Sequence, residues 1–470
     1  MSALDELGRV HLVGVGGAGM SAVATLLAAR GLSVSGSDAA DGPALPALRA
    51  AGVDVHVGHD GSLVEGVDTL VVSSAVRATN PELARARELG LRVWHRSQAL
   101  AALMDDRDAV AVAGAHGKTT TSAMIAVALL ASGQDPSFAI GGTVLSDDGP
   151  IGGARDGAGA GFVAEADESD GSFLAYEPLV AVVTNVEPDH LDHYGSREAF
   201  EQAFVDFAGR IRPGGTLVAC ADDDGAARLV ATVRPTLDER GVAVVTYGRS
   251  EAADVRLVDI AGDAWSAEVS GLGASATLTL AVPGAHNLLN AAAAWATCVR
   301  LGVDPSAAAA GLGAFRSTGR RFELRGEAGG VRVVDDYAHH PTEVDALLRA
   351  ARSVAGQGRV VVLFQPHLFS RTRTFADEFG AAFDLADVVV VTDVYAARED
   401  PDPEVTGALI VDRVPTPGKA TFVPDRLAAA RSVAEAARPG DLVLTVGAGD
   451  VTTLAPVVLA ALAEAAGERA

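Results

Sequence analysis

At 470 residues, 49% of them apolar, the chain has material for about three domains, each with a core of its own. Its formal charge of −24 leaves no basic stripe to neutralise a phosphate backbone, which argues against nucleic acid as a partner; a nucleotide, which needs only a few local donors, stays open. No apolar run reaches the ~18 residues that cross a bilayer, the acidic start Met1-Ser-Ala-Leu-Asp-Glu does not read as a signal peptide, and Cys220 and Cys298, both in apolar surroundings, read as core residues of a cytoplasmic protein.

Residues 9–104 alternate short apolar runs with helical patterns, as βαβ units of a parallel sheet do. The first run, Val10-His-Leu-Val-Gly14, leads through Val15-Gly-Gly-Ala-Gly19 into a helix over 20–30. Gly14, Gly16 and Gly19 fit G-x-G-x-x-G, and the second strand, 32–38, ends on Asp38 near the offset at which such a domain meets a ribose. The fingerprint specifies a diphosphate more strongly than a dinucleotide. A third strand over 69–74 is followed by a loop through 76–81, at a strand end where ligands sit in open α/β sheets.

The composition turns polar at Asp105-Asp-Arg-Asp108, a first boundary. Ala109–Ala113 then reads as a buried strand, Gly114-Ala-His-Gly-Lys118-Thr119 as a turn, and 119–130 as a helix. Strand, glycine turn and helix N-terminus make a phosphate cradle, with Lys118 as a point charge for β- and γ-phosphates and the Thr119 hydroxyl as a Mg²⁺ ligand. Its spacing is shorter than the Walker pattern, which puts a glycine where Val112 stands. Gly141-Gly142 and 147–161 read as loops. An apolar strand then enters Glu165-Ala-Asp-Glu-Ser-Asp170, and the next, 179–185, enters Val186-Glu-Pro-Asp-His-Leu-Asp-His193. Carboxylates and imidazoles after consecutive strands beside a phosphate loop point to metal and phosphate chemistry. Short β-like runs without long helices fill 216–282, and Pro283–Asn290 opens a helix to 301 with Asn287 and Asn290 on one face.

A second boundary falls at 315–325, after which Gly319-Arg-Arg-Phe322 precedes strands at 331–335, 359–364, 388–392, 420–423 and 442–446. Pro341 stands where a helix begins. Tyr337, His339 and the His340 beside it, with Arg371 and Arg373 on a second strand-end loop, suit a small zwitterion and its carboxylate.

Taken in order, the Gly-x-x-Gly-Lys-Thr loop, Glu-Ala-Asp-Glu-Ser-Asp, Thr-Asn-x-Glu-Pro-Asp-His, Gly-x-His-Asn, Gly-Arg-Arg and Asp-Asp-Tyr-x-His-His-Pro-Thr-Glu resemble the Mur ligases of peptidoglycan synthesis, from Gly14 to Gly449. The resemblance implies an α/β, three-domain architecture: a Rossmann-like UDP-sugar domain (1–106), a central P-loop ATPase domain (107–318) and a C-terminal Rossmann-like amino-acid domain (319–470). It implies ATP and Mg²⁺, and UDP-N-acetylmuramate and L-alanine as small-molecule substrates of a cytoplasmic monomer or homodimer. Gly14, Gly16, Gly17, Ala18, Gly19, Asp38 and Ser73 would hold the UDP-sugar. Gly114, Ala115, His116, Gly117, Lys118, Thr119 and Thr120 would hold ATP, with Asn287 or Asn290 and Arg320 or Arg321 facing the nucleotide. Thr119 would ligate one Mg²⁺, Glu165 and His190 a second, and Tyr337, His339 and Arg371 would surround the amino acid. The family loop commonly reads Pro-His-Arg-Tyr-Ser-Arg-Thr, but this chain has Leu368-Phe369, so one arginine is missing, and Arg373 is a candidate to compensate. Two rivals remain. One is a related ligase with a recycled tripeptide as acceptor; the other is a nicotinamide-dependent dehydrogenase resting on Gly14-x-Gly-x-x-Gly19, which leaves Lys118 and the acidic cluster without a role.

Overall fold

A computed structural model describes residues 4, 6–188, 191–260, 265–397 and 399–467, with 191 and 192 as backbone. The chain forms two compact units: Met1–Asp259 with Ala267–Leu280 and Leu289–Arg316, and Ile260–Ser266 with Ala281–Leu288 and Ser317–Ala470.

The first unit opens with five parallel strands, β1 (Val10–Val13), β2 (Val34–Asp38), β3 (Asp54–Val57), β4 (Thr69–Val72) and β5 (Arg92–His95), in the order β3-β2-β1-β4-β5. The order reverses between β1 and β4, so the loops leaving those two strands flank a crevice at the carboxyl edge. The glycine loop after β1 feeds the helix Ala18–Ala29.

Eleven further strands form a second sheet: β6 (Asp108–Ala113), β7 (Ser137–Ser146), β8 (Gly149–Arg155), β9 (Gly161–Glu165), β10 (Val180–Val183), β11 (Thr216–Cys220), β12 (Ala243–Gly248), β13 (Val255–Val258), β14 (Ser266–Gly271), β15 (Ala274–Thr279) and β16 (Phe315–Thr318). Its path runs β15-β14-β13-β12-β11-β10-β6-β9-β7-β16, with β8 paired to β7. β6 lies between β10 and β9, parallel to both. That order brings the loops after β6, β9 and β10 to one edge, as the sequence led us to expect. All of Ala109–Ala113 is buried, as a strand covered on both faces must be.

Two expectations fail in this sheet. Gly141-Gly142 and 149–155, read as loop, are strand residues of the β7–β8 hairpin, closed by an Asp147-Asp148 turn between paired Ser146 and Gly149; beyond that turn only 156–160 is irregular within 147–161. Its glycines serve close packing: a Cβ on Gly153 would stand 2.9 Å from the Ile140 carbonyl oxygen. Residues 224–239, read as lacking a long helix, form one of 16 residues. Asp223 caps it by accepting from Ala226 N at 2.7 Å, and Ala226, Leu229, Val230, Val233 and Leu237 bury a 3–4-residue stripe. Pro235 sits within it on the exposed side, where the carbonyl it leaves unbonded meets water.

The second unit holds β17 (Glu323–Ala328), β18 (Val331–Asp336), β19 (Val360–Phe364), β20 (Val388–Val391), β21 (Ala420–Phe422) and β22 (Leu442–Val446), in the order β17-β18-β22-β19-β20-β21. Only the β17–β18 pair is antiparallel. The helix Pro341–Ala355 begins on Pro341 as expected. Residues 450–467 are long and apolar enough to cross a membrane by length and composition, with a mean hydropathy of 1.4, which corrects the expectation that no run reaches that length. Alanine raises the average here, while Val451, Leu454, Ala455, Val458 and Leu462 pack into the core against the sheet. Cys220 and Cys298 are buried and free.

On the opposite face, Phe364 is fully buried, its ring 5.3 Å from Phe379 and 4.7 Å from Phe383. Phe364→Ala should remove about 3–5 kcal/mol from this unit, read as a lowered urea midpoint by circular dichroism, whereas Phe364→Leu should lose far less.

Candidate active site

The phosphate loop is shaped by neighbours that leave no room for side chains. Gly114 has φ 131° and Gly117 φ 83°; a Cβ on Gly114 would collide with Thr184 Oγ1, and one on Gly117 would lie 2.8 Å from Asn290 Oδ1. Asn185 accepts from His116 N at 3.0 Å and donates to the His116 carbonyl at 2.9 Å, and Thr184 donates to the same carbonyl at 2.6 Å. The loop is thus clamped to the end of β10, leaving the N-terminus of Lys118–Ala131 to offer its N–H groups.

Lys118 Nζ donates to the carbonyls of Gly114 at 2.7 Å and Ala115 at 3.3 Å and to Glu168 Oε1 at 2.9 Å. Burial works against its charge, but Glu168, Asp167 and Glu165 together hold its pKa above the ordinary lysine value. Glu168 is fully buried, and burial pushes its carboxyl up to about 7 against the pull of Lys118. Of the two, the lysine stays charged and Glu168 takes up a proton first. Glu168 belongs to the quoted acidic motif, yet its place under Lys118 needed the structure: the 165–170 turn decides which carboxylate faces inward.

Thr119 Oγ1 donates to Glu165 Oε1 at 2.9 Å, and Glu165 Oε2 accepts from Gly141 N at 2.8 Å. These two predicted metal ligands therefore converge. Their oxygens are the hard donors Mg²⁺ takes. His190, the third, lies outside the described residues. Of the two asparagines, Asn290 packs against Gly117, while Asn287 donates to the Pro283 carbonyl at 2.7 Å.

In the crevice of the first sheet, Gly14, Gly17, Ala18, Gly19, Asp38 and Ser73 line one cavity of about 680 Å³. Gly16 is tied to it, donating its N–H to Asp38 Oδ2 at 2.9 Å. Arg77 and Asn80, in the 76–81 loop expected at a ligand-bearing strand end, stand in its wall, together with His59 and Arg96, which sequence reasoning missed. Arg96 lies so close over Gly19 that any Cβ there would strike it. The far side of Arg96 meets Asp167 at 3.4 Å, and Ser74 donates to Asp170 while lying 3.1 Å from His95 Nε2. The acidic loop after β9 thus touches the cavity wall on one side and Lys118 on the other.

In the second unit, the Tyr337 ring lies 5.2 Å from His339, with the Arg320 and Arg321 guanidinium carbons 4.8 and 5.2 Å from its centre. Arg320 also meets Asp335 at 3.3 Å, and Arg321 meets Glu343 at 3.7 Å. His367 extends the cluster, 5.9 Å from His339 and stacked on Tyr395. Arg371 is buried in the helix Phe369–Thr374. Leu368, where the family loop carries arginine, is buried at φ 71°, a costly conformation for a branched side chain, held by its N–H to the Tyr395 carbonyl at 3.0 Å. Arg373 is bonded to Asp402 at 2.6 Å.

Three family models match the chain: the catalytic domain of the Mur ligase family over 9–108, the Mur ligase middle domain over 112–298, and the Mur ligase glutamate ligase domain over 320–449. The chain belongs to the Mur ligase family. A UDP-N-acetylmuramate–L-alanine ligase of Kineococcus radiotolerans is 65% identical over 99% of this chain and 98% of its own length. Among solved Mur ligases, the UDP-N-acetylmuramate–alanine ligase of Thermotoga maritima superposes with a TM-score of 0.80 at 30% identity, covering 96% of this chain and 98% of that one. A murein peptide ligase from Psychrobacter arcticus gives 0.72 at 25% identity, covering 97% and 99%. The three-domain Mur ligase architecture expected from the motifs is therefore present.

Next to Tyr337, burial pushes the Asp336 carboxyl up to about 6, against Arg321 and the N–H groups of Ala338 and Phe322. Because this lies above the ordinary 3.8, the unfolded chain releases this proton first. The stabilisation is whole below pH 3.8 and is lost as the pH rises to about 6, by about 3 kcal/mol. Asp336→Asn should abolish that slope, checked by thermal midpoints of both proteins between pH 4 and 6.5.

Proposed function

We propose that this protein joins L-alanine to the carboxylate of UDP-N-acetylmuramate, driven by ATP and using Mg²⁺, in the cytoplasm. The observation that carries this reading is the clamped phosphate loop, with Lys118 and the Thr119–Glu165 oxygen pair, in a chain 65% identical over nearly its whole length to a ligase of that name. We assign 1–106 to the sugar nucleotide, 107–318 to ATP and 319–470 to the amino acid.

A carboxylate does not accept an amine at neutral pH, because oxide would have to leave. In this reading a carboxylate oxygen of the sugar attacks the γ-phosphorus, the bond to the β-phosphate oxygen breaks, and ADP departs. The amine nitrogen then attacks the acyl carbon and phosphate leaves, with loss of the amine's proton. Phosphoryl transfer needs mainly positioning and charge neutralisation, which a lysine and hard oxygen donors supply without a nucleophilic side chain. Thr119 would hold one Mg²⁺ and Glu165, with His190, a second, and these ions would neutralise charge on the transferring phosphoryl group. Lys118 exchanges Glu168 and two carbonyls for phosphate oxygens. Asn290, at Gly117, is the asparagine suited to the nucleotide. Tyr337, His339 and Arg371 receive the amino acid.

Lys118→Ala should lower ligation by at least about 10³-fold, the scale of losing a positioned cation at a developing charge, while calorimetric titration shows UDP-N-acetylmuramate binding largely unchanged. Loss of that binding in a folded variant would mean that the two sites are wrongly assigned.

The acceptor separates this reading from tripeptide recycling. With Leu368 in place of an arginine and Arg373 tied to Asp402, neither of these two positions offers an added cation for a peptide's distal carboxylate. In competition, L-alanine should show the higher kcat/KM against L-Ala-γ-D-Glu-meso-diaminopimelate. Glycine and L-serine should be poor but active, because one methylene is worth about 1–3 kcal/mol. A higher value for the tripeptide would replace this function with the recycling one.

A further inference from the structure

The cavity of the first sheet has a charged support that no motif foretold. Glu82 is fully buried in the helix Pro81–Glu88, whose cap Asn80 accepts from Glu82 N and Leu83 N. Its carboxylate is surrounded. Ser37 Oγ lies 2.7 Å and His11 Nε2 3.2 Å from Oε2; His59 Nδ1 lies 3.0 Å and Asp60 N 3.3 Å from Oε1. Burial alone would raise this carboxyl, but hydrogen bonds from His11 and Ser37, the charge of His11 and the bond from His59 hold it below the ordinary glutamate value.

An ionised carboxylate only accepts hydrogen bonds, so each of these neighbours donates. Ser37 has one proton and gives it to Glu82; toward His59 Nδ1, 3.0 Å away, its oxygen accepts. The proton on the His59 ring therefore sits on Nδ1, with two acceptors fixing it there. His59 also lines the cavity, beside Asp38, Ala39 and Asn80. With the Nδ1 edge turned to Glu82, the edge left for a ligand carries Nε2, which in the neutral ring is a bare acceptor.

We propose that Glu82 is a positioning residue that locks His59 in its Nδ1–H form, so that the cavity meets the nucleobase with an acceptor and selects the N3–H of uracil over cytosine, whose N3 is itself an acceptor. This rests on the reading of the Gly14–Gly19 cavity as the sugar-nucleotide site. A mismatch sets two lone pairs against each other where a hydrogen bond should form, and a site built to bond an N–H rejects an analogue lacking it.

The test is isothermal titration of the full-length protein with UDP and with CDP, in the wild type, Glu82→Gln and His59→Ala. The wild type should prefer UDP by about tenfold or more. In Glu82→Gln the side-chain amide can donate as well as accept, which frees the tautomer, and in His59→Ala the acceptor is gone. Both should still bind UDP, with the preference reduced to about threefold or less. Parallel weakening of both nucleotides with the ratio intact would reduce Glu82 and His59 to a structural role and overturn the proposal. Circular dichroism reports folding, and His59→Ala decides alone where Glu82→Gln fails to fold. Equal wild-type affinity for UDP and CDP overturns the tautomer lock but leaves the site assignment standing; binding of neither overturns both.

Discussion

A buried lysine among carboxylates is the constraint on which the central site depends. Lys118 is held by Glu168 and two backbone carbonyls, so its charge is compensated before any phosphate arrives. An ammonium in such surroundings would lose its proton without a partner, and a lone buried carboxylate would cost as much. Each therefore requires the other, and the pair requires β9 beside β6. That neighbourhood follows from the parallel order β10-β6-β9, because only side-by-side parallel strands deliver their following loops to one edge. The clamp of Asn185 and Thr184 on His116 is the same arrangement seen from β10.

The acidic loop after β9 then does two things at once. Glu165 faces Thr119, and Glu168 faces Lys118; Asp167 and Asp170, on the same short turn, face Arg96 and Ser74 at the wall of the neighbouring cavity. Four carboxylates in six residues repel one another in isolation. Here each is given a different cation or hydroxyl, which fixes the turn. The hydrogen bond of the Tyr194 hydroxyl to the Glu168 carbonyl holds the same turn from the far side.

Much of this was legible in the sequence because it depends on local signals. The strand at 442–446 and the helix start at Pro341 follow from apolar runs and from proline's fixed geometry. The phosphate loop was readable because glycine, lysine and threonine at that spacing have few other uses between a buried strand and a helix. The failures have physical causes too. The 137–155 hairpin hid because glycines that let strands approach closely look like the glycines of a loop. The 224–239 helix hid behind its valines and Pro235, although its apolar stripe was present. The places of Glu168, Glu82 and Arg96 could not be read, even though Glu168 lay in the quoted acidic motif, because their roles depend on which side of a turn faces inward and on contacts 50 residues away for Lys118–Glu168 and 71 for His11–Glu82.

The acidity of the chain is compatible with the anionic ligands proposed for it, for a reason visible in both candidate sites. A charge of −24 spread over an exposed surface is screened within about 8 Å in physiological salt, whereas a phosphate in a cleft responds to the groups that touch it. In the two candidate sites those groups are few: the N–H groups at the start of Lys118–Ala131 with one lysine, and the Gly14–Gly19 turn with Arg77 and Arg96. In both places one cation is already paired with a carboxylate, Lys118 with Glu168 and Arg96 with Asp167. Binding a phosphate there exchanges one anion for another. The free energy gained is then a difference between two anions, which leaves geometry rather than charge to discriminate between ligands.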